Sequence, residues 1–123
     1  MNAMEIGQDL VALCNADNAE QVVEKYYAPD IVSIEGQDSE AMPARLEGLE
    51  AVAQKSQWWF DNHTVHSLHA SGPYVGLAPD QFVVRFEMDV TPKAGERLQM
   101  DEVGLYRVQG GRIVEEAFLY NQS

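Results

Sequence analysis

The pattern of apolar residues changes once along this chain, from helical spacing to strand alternation, close to His63. Before that point apolar side chains recur every three or four residues, which puts them on one face of an α-helix. After it, apolar and polar residues alternate, as they do in a strand with one buried face. Helices followed by strands predict an α+β fold, in which the helices pack on one face of a long antiparallel sheet.

The first half of the chain predicts three helices and one short strand. The polar run 15–18 ends the first helix and offers a cap for the second. The second helix stops before Pro29, because proline disfavours the helical conformation in the residue that precedes it. The predicted elements are, in order, a helix around 6–14, a helix over 19–26, a strand over 31–35, a loop over 36–45 and a helix over 46–62.

The second half of the chain predicts four strands. The clearest alternation gives Phe82, Val84 and Phe86 one face and the charged residues between them the other. Two glycines within the segment 109–112 predict a tight hairpin between the last two strands. The strands are predicted over 64–70, closed by the turn residues 71–73, and then over 82–90, 98–108 and 113–120.

Charge and composition exclude several classes of partner. Eight Lys and Arg stand against 20 Asp and Glu, for a formal net charge of −12, which repels nucleic-acid phosphates and anionic lipid. No run approaches the ~20 apolar residues of a membrane helix, and the first residues lack the basic start and apolar run of a secretory signal. The single cysteine, Cys14, fits a reducing compartment. We therefore expect a cytoplasmic protein without nucleic-acid or membrane partners.

Short motifs along nearly the whole chain carry a family resemblance. They are Asn15-Ala16-Asp17, Tyr27-Ala28-Pro29-Asp30-Ile31-Val32, Leu46-Glu47-Gly48, Asp80-Gln81-Phe82-Val83-Val84-Arg85-Phe86, Met100-Asp101-Glu102-Val103 and Gly111-Arg112-Ile113-Val114. In this order the chain resembles the nuclear-transport-factor-2-like superfamily, and within it the SnoaL-like and ketosteroid-isomerase-like branch. The resemblance implies a single domain over 1–123, with a cone-shaped curved antiparallel sheet wrapped on three N-terminal helices and a pocket open at one end.

The resemblance also limits what the protein does. Members of this fold include isomerases, cyclases, dehydratases, epoxide hydrolases and non-catalytic binding modules. It implies acid–base catalysis without a cofactor, on a small apolar carbonyl or epoxide compound held in the pocket. The alternative is a non-catalytic module for small-molecule binding or dimerisation. Many members form dimers through the outer face of the sheet, so we expect a homodimer with intersubunit ion pairs from Arg85, Glu87 and Asp89.

Three glutamates are the candidate catalytic residues. Glu35 ends the first predicted strand, where the resemblance puts the general-base aspartate of ketosteroid-isomerase-like enzymes. Glu102 lies where those enzymes carry a protonated aspartate as an oxyanion donor, and Glu116 shares a strand face with Phe118 and Tyr120 by alternation. An apolar pocket raises the pKa of a carboxyl group toward a value that suits proton transfer. The other interpretation is that each acid is a solvated residue of an acidic chain.

The register of the last hairpin decides whether Glu102 and Glu116 meet. If Gly110 and Gly111 form a two-residue turn in a regular hairpin, Glu102 lies opposite Leu119 and the two acids face opposite sides of the sheet. A loop with an odd number of residues, or a bulge, would bring both acids to the inner face. We predict a bulge, because the apolar neighbours of both acids then face inward as well.

Aromatic and apolar side chains complete the predicted pocket. His66 is expected to point inward with Thr64 and Leu68, as a base or as a residue that orients a carboxylate. The alternative, which is the commoner case, is a hydrogen-bonded structural histidine. Core packing alone also explains the aromatic positions, and it is the commoner role of such residues. Spacing of the three histidines does not suit zinc, so we expect no metal. The predicted ligand-binding residues are Tyr27, Trp59, His66, Phe82, Val84, Met100, Phe118 and Tyr120.

The chain departs from the ketosteroid isomerases at two points. Leu10 stands where those enzymes carry an oxyanion-hole tyrosine, and the two aligned acids are Glu in place of Asp. Half of that oxyanion hole is therefore missing, so the resemblance does not extend to steroid isomerisation itself. A further interpretation is a pocket for a cationic amine, because the acids would converge there without Lys or Arg.

Overall fold

The computed structural model describes residues 1–36, 43–76 and 78–121. Most of the predicted loop over 36–45 lies outside the described residues. The helices are α1 (Ala3–Asn15), α2 (Gln21–Tyr26) and α3 (Leu49–Asp61), and the strands are β1 (Tyr27–Glu35), β2 (Arg45–Glu47), β3 (His63–Tyr74), β4 (Gln81–Pro92), β5 (Leu98–Gln109) and β6 (Arg112–Tyr120). No helix within these ranges is long and apolar enough to cross a membrane.

The six strands form one curved, open sheet in the order β2-β1-β6-β5-β4-β3. Strands β3, β4, β5 and β6 pair antiparallel with one another, as predicted, but β1 lies parallel to β6, so the expectation of a wholly antiparallel sheet is wrong at this pair. The long connection between β1 and β6 permits this pairing, since a parallel pair needs a crossover of a dozen residues or more. Helix α1 packs on β3 and β4, and α3 packs on β1 and β3. We call the face that the helices cover the inner face.

Helix α1 is fixed at both ends by asparagine side chains. Asn2 accepts a hydrogen bond from the Glu5 backbone while Glu5 bonds back to the Asn2 N–H, which forms a capping box. At the other end Asn15 bonds to both backbone groups of Ala70 on β3, at 2.8 and 3.0 Å. These contacts hold the helix across the sheet. Its buried residues recur at helical spacing and are Ala3, Ile6, Gly7, Leu10 and Cys14.

Three element boundaries differ from the sequence prediction because of strand pairing. Strand β1 begins earlier than predicted, because its pairing with β6 starts at Tyr27. The third helix begins at Leu49, because Arg45–Glu47 pair with β1 as β2. Strand β3 continues to Tyr74, where pairing with β4 resumes opposite Val83. Gly72 has a φ of +120°, which glycine adopts without strain, so the predicted end of this strand at 71–73 is an irregularity within it.

Phe82 and Val84 lie in the core between α1 and the sheet. Their exposed fractions are 1% and 0%, and the ring of Phe82 stacks on Tyr106 with 4.9 Å between ring centroids. Gly7 of α1 lies so close that an added Cβ would come within 3.0 Å of Phe82. The clean alternation of β4 therefore marks residues that hold the helix to the sheet.

The charges predicted to bridge two subunits are paired within the chain. Arg85 contacts Asp101 and Glu87, and Asp89 binds Arg97. All these residues lie on the side of the sheet away from the helices, the outer face. The homodimer remains a prediction.

Candidate active site

A cavity of about 400 Å³ lies between the helices and the inner face of the sheet. This volume suits a small organic molecule, and the walls are mostly apolar. Every helix and strands β1, β3, β4, β5 and β6 contribute side chains to the lining. The polar and ionisable groups among them are few, and they are concentrated on β1, α3, β5 and β6.

Glu116 is the most deeply buried acid of the cavity. Only 4% of the residue is exposed, and its carboxylate accepts a hydrogen bond of 2.7 Å from the Tyr27 hydroxyl. Ser33 is its register partner on β1 and also hydrogen-bonds to it. Burial raises the pKa of Glu116, while the Tyr27 bond, the Lys55 ammonium and the Ser33 bond act in the opposite direction.

Lys55 brings a positive charge to these acids. Its ammonium forms an ion pair with Glu35 and donates a hydrogen bond of 2.8 Å to the Ser33 hydroxyl. The side chains of Lys55 and Glu35 are 14% and 18% exposed. The ammonium also lies 5.2 Å from the centre of the Phe118 ring, within cation–π distance. The cavity therefore holds a partly buried cation beside its carboxylates.

Sequence reasoning missed Lys55, although the signal was present. The residue stands three positions after Val52 and four before Trp59, so helical spacing puts all three on one face of α3. Its charge argued for a solvated position, but a long side chain can cross an apolar surface and deliver its charge elsewhere. The premise of the cationic-amine interpretation, a set of acids without Lys or Arg, is therefore wrong.

Glu102 is the cavity acid without a partner. Its carboxyl makes no hydrogen bond or ion pair with any residue in the described part of the chain. Burial raises its pKa to about 7, and the negative charges of Glu35 and Glu116 add to the rise, while Lys55 opposes it. A carboxyl group with this pKa exchanges its proton readily near neutral pH.

The predicted bulge is confirmed, and it is what brings Glu102 and Glu116 to one face. Gln109 pairs with Arg112 across a two-residue glycine turn, but Arg107 pairs with Glu115, so Val114 is the extra residue. Beyond it Tyr106 lies opposite Glu116, and Glu102 lies opposite Tyr120. Both acids then face the cavity with their apolar neighbours.

Tyr106 lies between the two acids on the inner face. Its ring stacks on Phe82 and meets the edge of Phe118, with centroids 6.2 Å apart. Gly104 makes this possible, because a Cβ there would stand 2.8 Å from the Tyr106 ring. Burial and the charge of Glu116 raise the pKa of Tyr106 well above its usual value, so its hydroxyl stays protonated.

Eight of the eleven predicted site residues line the cavity. They are Glu35, Glu102, Glu116, Tyr27, Trp59, Met100, Phe118 and Tyr120. Their roles in catalysis or ligand binding remain predictions. Trp59 is further held by a stacked contact with His63, with 4.2 Å between ring centroids. The lining residues that were not predicted include Phe86 and Met88, which share the alternation of β4 with the core residues.

Phe82, Val84 and His66 do not line the cavity. The first two are core residues, as described above. His66 is exposed and bonds through Nε2 to the Thr91 hydroxyl at 2.8 Å. A register shift in β3 between Val65 and Ser67 breaks the alternation at His66, so Leu68 still reaches the cavity while the histidine does not. The prediction that His66 points inward is wrong.

Comparison with known proteins identifies the family. The model of the SnoaL-like domain matches residues 1–120. The structure of a proposed SnoaL-like polyketide cyclase from Mesorhizobium loti shares 48% sequence identity, over 98% of this chain and 100% of that one, with a TM-score of 0.89. A search of curated proteins finds no match.

More distant structures share the fold. A proposed isomerase from Bacillus subtilis is 19% identical, with a TM-score of 0.73 and coverage of 97% of this chain and 86% of that one. A protein with a ketosteroid isomerase-like fold from Catenulispora acidiphila, solved with trimethylamine, is 17% identical, with a TM-score of 0.67 and coverage of 97% and 87%. The chain therefore belongs to the SnoaL-like domain family and has the ketosteroid isomerase-like fold.

Proposed function

We propose that this protein is an enzyme that moves a proton on a small, neutral, largely apolar carbonyl compound, without a cofactor. The observation that carries the proposal is Glu102, a carboxyl group without a partner among the described residues, in an apolar cavity and with a pKa of about 7. The resemblance to a proposed polyketide cyclase supports the same class of chemistry.

Glu102 is the proton-transfer residue in this proposal, in place of Glu35. The Glu35 carboxylate is engaged by the Lys55 ammonium, whereas no residue that the structure describes is bonded to Glu102, which can therefore meet a substrate. A general base works best when its pKa lies near the operating pH, because both protonation states are then available in one catalytic cycle. Glu102 can thus take a proton as carboxylate and return it as carboxylic acid.

Lys55 supplies the stabilising positive charge. An ammonium group has three N–H donors, and Glu35 and Ser33 account for two of them. The third is available to a carbonyl oxygen in the cavity, where it would stabilise the negative charge that develops on that oxygen. This donor stands in for the oxyanion-hole tyrosine whose place Leu10 occupies.

The proposed proton transfer needs no reactant besides the substrate and the carboxylate of Glu102. The Glu102 carboxylate removes a proton from the carbon next to the substrate carbonyl. The electron pair of that C–H bond forms a carbon–carbon double bond, and the carbonyl electrons move onto the oxygen beside Lys55. If the substrate carries a carbon–carbon double bond between its β- and γ-carbons, the enolate is a dienolate that recovers the proton from Glu102 at the γ-carbon, which is isomerisation. Otherwise the enolate attacks a second carbonyl of the same molecule and closes a ring. In the second case the Glu102 proton goes to the new alkoxide.

The cavity favours a neutral substrate. The charges of Lys55 and Glu35 cancel each other, and most other lining groups are apolar. An anionic ligand would lose its hydration without gaining a free counter-ion, because Lys55 is already paired with Glu35. A cationic ligand would pair with the Glu102 carboxylate and occupy the group that has to accept the proton. The volume of about 400 Å³ further limits the substrate to a small molecule.

Deuterium exchange tests the proposal without knowledge of the natural substrate. A panel of cyclic ketones and diketones is incubated with the protein in D₂O, and incorporation at the α-carbon is followed by NMR. We expect catalysed exchange with at least one compound, and Glu102→Gln should lower its rate by about 10²- to 10⁴-fold. Glu115→Gln is the matched control, because Glu115 lies on the same hairpin but outside the cavity.

Two results would contradict the proposal. One is equal exchange by the wild type and Glu102→Gln. The other is a ketone that binds in the cavity, seen as shifts of the Trp59 and Phe118 signals, without exchange of its α-protons. The second result would favour the alternative function, a non-catalytic small-molecule-binding module.

A further inference from the structure

A continuous set of hydrogen-bonded side chains crosses the cavity floor from Tyr27 to Lys55. The Tyr27 hydroxyl donates to Glu116, Ser33 hydrogen-bonds to the same carboxylate, and Lys55 donates to Ser33. The set joins β1, β6 and α3, and Ser33 within it is fully buried. The mechanism above uses Lys55 from this set and leaves Glu116 without a role.

We propose that Glu116 is a positioning residue, which aims the Lys55 ammonium into the cavity by acting through Ser33. This inference rests on the proposed function for the role of Lys55, but the positioning itself is a property of the protein without substrate. It differs from the sequence-based hypothesis that Glu116 is a catalytic acid.

The directions of the hydrogen bonds support a positioning role. An ammonium group can only donate, so Ser33 must accept from Lys55 and has its own hydroxyl hydrogen left to donate. That hydrogen, and the one of the Tyr27 hydroxyl, both go to the Glu116 carboxylate. Glu116 therefore fixes the rotation of the Ser33 hydroxyl, and with it the lone pair that Lys55 meets.

Glu102 is better suited than Glu116 to carry a proton to and from a substrate. Glu116 already accepts two hydrogen bonds from protein groups and is only 4% exposed, whereas Glu102 has no such bond within the described ranges. To act on a substrate, Glu116 would have to give up these bonds and leave buried donors unpaired.

Lys55 needs this support because its side chain is long. A lysine side chain loses about 1.5–2 kcal/mol of rotamer entropy when it is fixed, and one ion pair leaves the ammonium free to pivot. Ser33 provides the second anchor, so the remaining N–H has a defined direction. Misplacement of a catalytic group by about 1 Å costs a rate factor of about 10².

Lysine NMR tests the positioning without any substrate. The chain has three lysines, Lys25, Lys55 and Lys93, so selective ¹⁵N labelling gives three ammonium signals, and exposed Lys93 supplies the reference for a free side chain. In the wild type we expect the Lys55 signal to be resolved from that of Lys93 and to exchange slowly with water. In Ser33→Ala and in Glu116→Gln it should move toward the Lys93 position and broaden by exchange.

Matched controls and a second variant keep this test decisive. Ser67→Ala and Glu115→Gln, which alter residues outside the cavity, should leave the Lys55 signal unchanged. If Glu116→Gln does not fold, Glu116→Asp replaces it, because the shorter side chain withdraws the carboxylate from Ser33. A Lys55 signal that moves in Ser33→Ala but keeps its wild-type position in the Glu116 variant would overturn the inference.

Exchange kinetics separate the positioning role from a catalytic one. With a ketone that the wild type deuterates, Ser33→Ala and Glu116→Gln should lower the rate about 10- to 100-fold while the pH profile keeps the limb set by Glu102. Loss of that limb in Glu116→Gln would overturn the inference by making Glu116 the proton carrier. If the wild type exchanges no ketone, the proposed function fails, and the lysine signals still decide the positioning.

Discussion

The two faces of the β5–β6 hairpin carry acids that are neighbours in sequence and opposite in chemistry. Asp101 and Glu115 face outward, where Asp101 accepts hydrogen bonds of 2.8 and 3.1 Å from Arg85, and Arg107 contacts Glu115 at 3.3 Å. The hydrogen bonds of Arg85 lower the pKa of Asp101 below its usual value. Both carboxylates therefore belong to ion pairs with arginines on the outer face.

The inward acids lack such partners. No arginine among the described lining residues reaches the cavity, and burial raises the pKa of both Glu102 and Glu116. Among the described lining residues the one cation is Lys55, which lies on α3 and contacts Glu35 and Ser33. In this hairpin, the face on which a strand position lies, more than its residue type, decides whether a carboxylate is ion-paired at the surface or buried in the cavity with a raised pKa.

Leucine substitutions at 115 and 116 should separate the two faces most strongly by their effect on stability. Glu116→Leu removes the acceptor of Tyr27 and Ser33 and leaves two buried donors unpaired, so we expect a loss of about 4 kcal/mol in the free energy of unfolding. Glu115→Leu breaks only a half-exposed ion pair and should cost less than about 1 kcal/mol. Urea unfolding followed by circular dichroism measures both. Equal losses would contradict the assignment of the two faces.

The pH dependence of stability should differ in sign between the faces. The pKa of Glu102 is raised from 4.5 to about 7, so between these values the folded state binds its proton more tightly than the unfolded chain does. Stability from this group is therefore complete below about pH 4.5 and is lost as the pH rises through about 7. The loss in the free energy of unfolding amounts to about 3 kcal/mol. Glu102→Gln should remove this pH dependence, so the variant should become more stable relative to the wild type at alkaline pH.

Asp101 should have a smaller effect on stability, with the opposite dependence on pH. Its pKa is lowered in the folded state, so its contribution is present above the usual aspartate value of 3.8 and is lost as the pH falls below that value. Asp101→Asn should therefore lose stability relative to the wild type at neutral pH and little in strong acid. Urea unfolding at a series of pH values compares both variants. A Glu102→Gln variant that gains nothing at alkaline pH would contradict the raised pKa.

Much of the fold could be predicted because local patterns agree with it. The apolar stripe of α1 and the alternation of β4 are strong signals, and the two glycines of the hairpin adopt φ of +60° and +74°, as its tight turn requires. A bulge in this hairpin followed from a parity argument, since it turns the apolar neighbours of Glu102 and Glu116 inward, but its position at Val114 did not.

The remaining features depend on contacts between distant residues. The parallel pairing of β1 with β6 and the short strand β2 arise from pairing that no local pattern encodes. The orientation of His66 was predicted wrongly, because a register shift in β3 changes which residues face inward and no glycine in the sequence marks it. Lys55 was overlooked because a charged residue on a helix usually faces water, and only the acids on the opposite wall explain its position.

The proposed role of Glu102 in proton transfer depends most directly on the pKa of its carboxyl group. A titration of ¹³C-labelled carboxyl groups by NMR, with Glu102→Gln to assign the signal, measures it in the intact protein. We predict a titration midpoint near 7 for Glu102, well above the ~4.3 of a solvated glutamate. A midpoint close to ~4.3 would show that the group is solvated or ion-paired, and it would remove Glu102 as the proton-transfer residue.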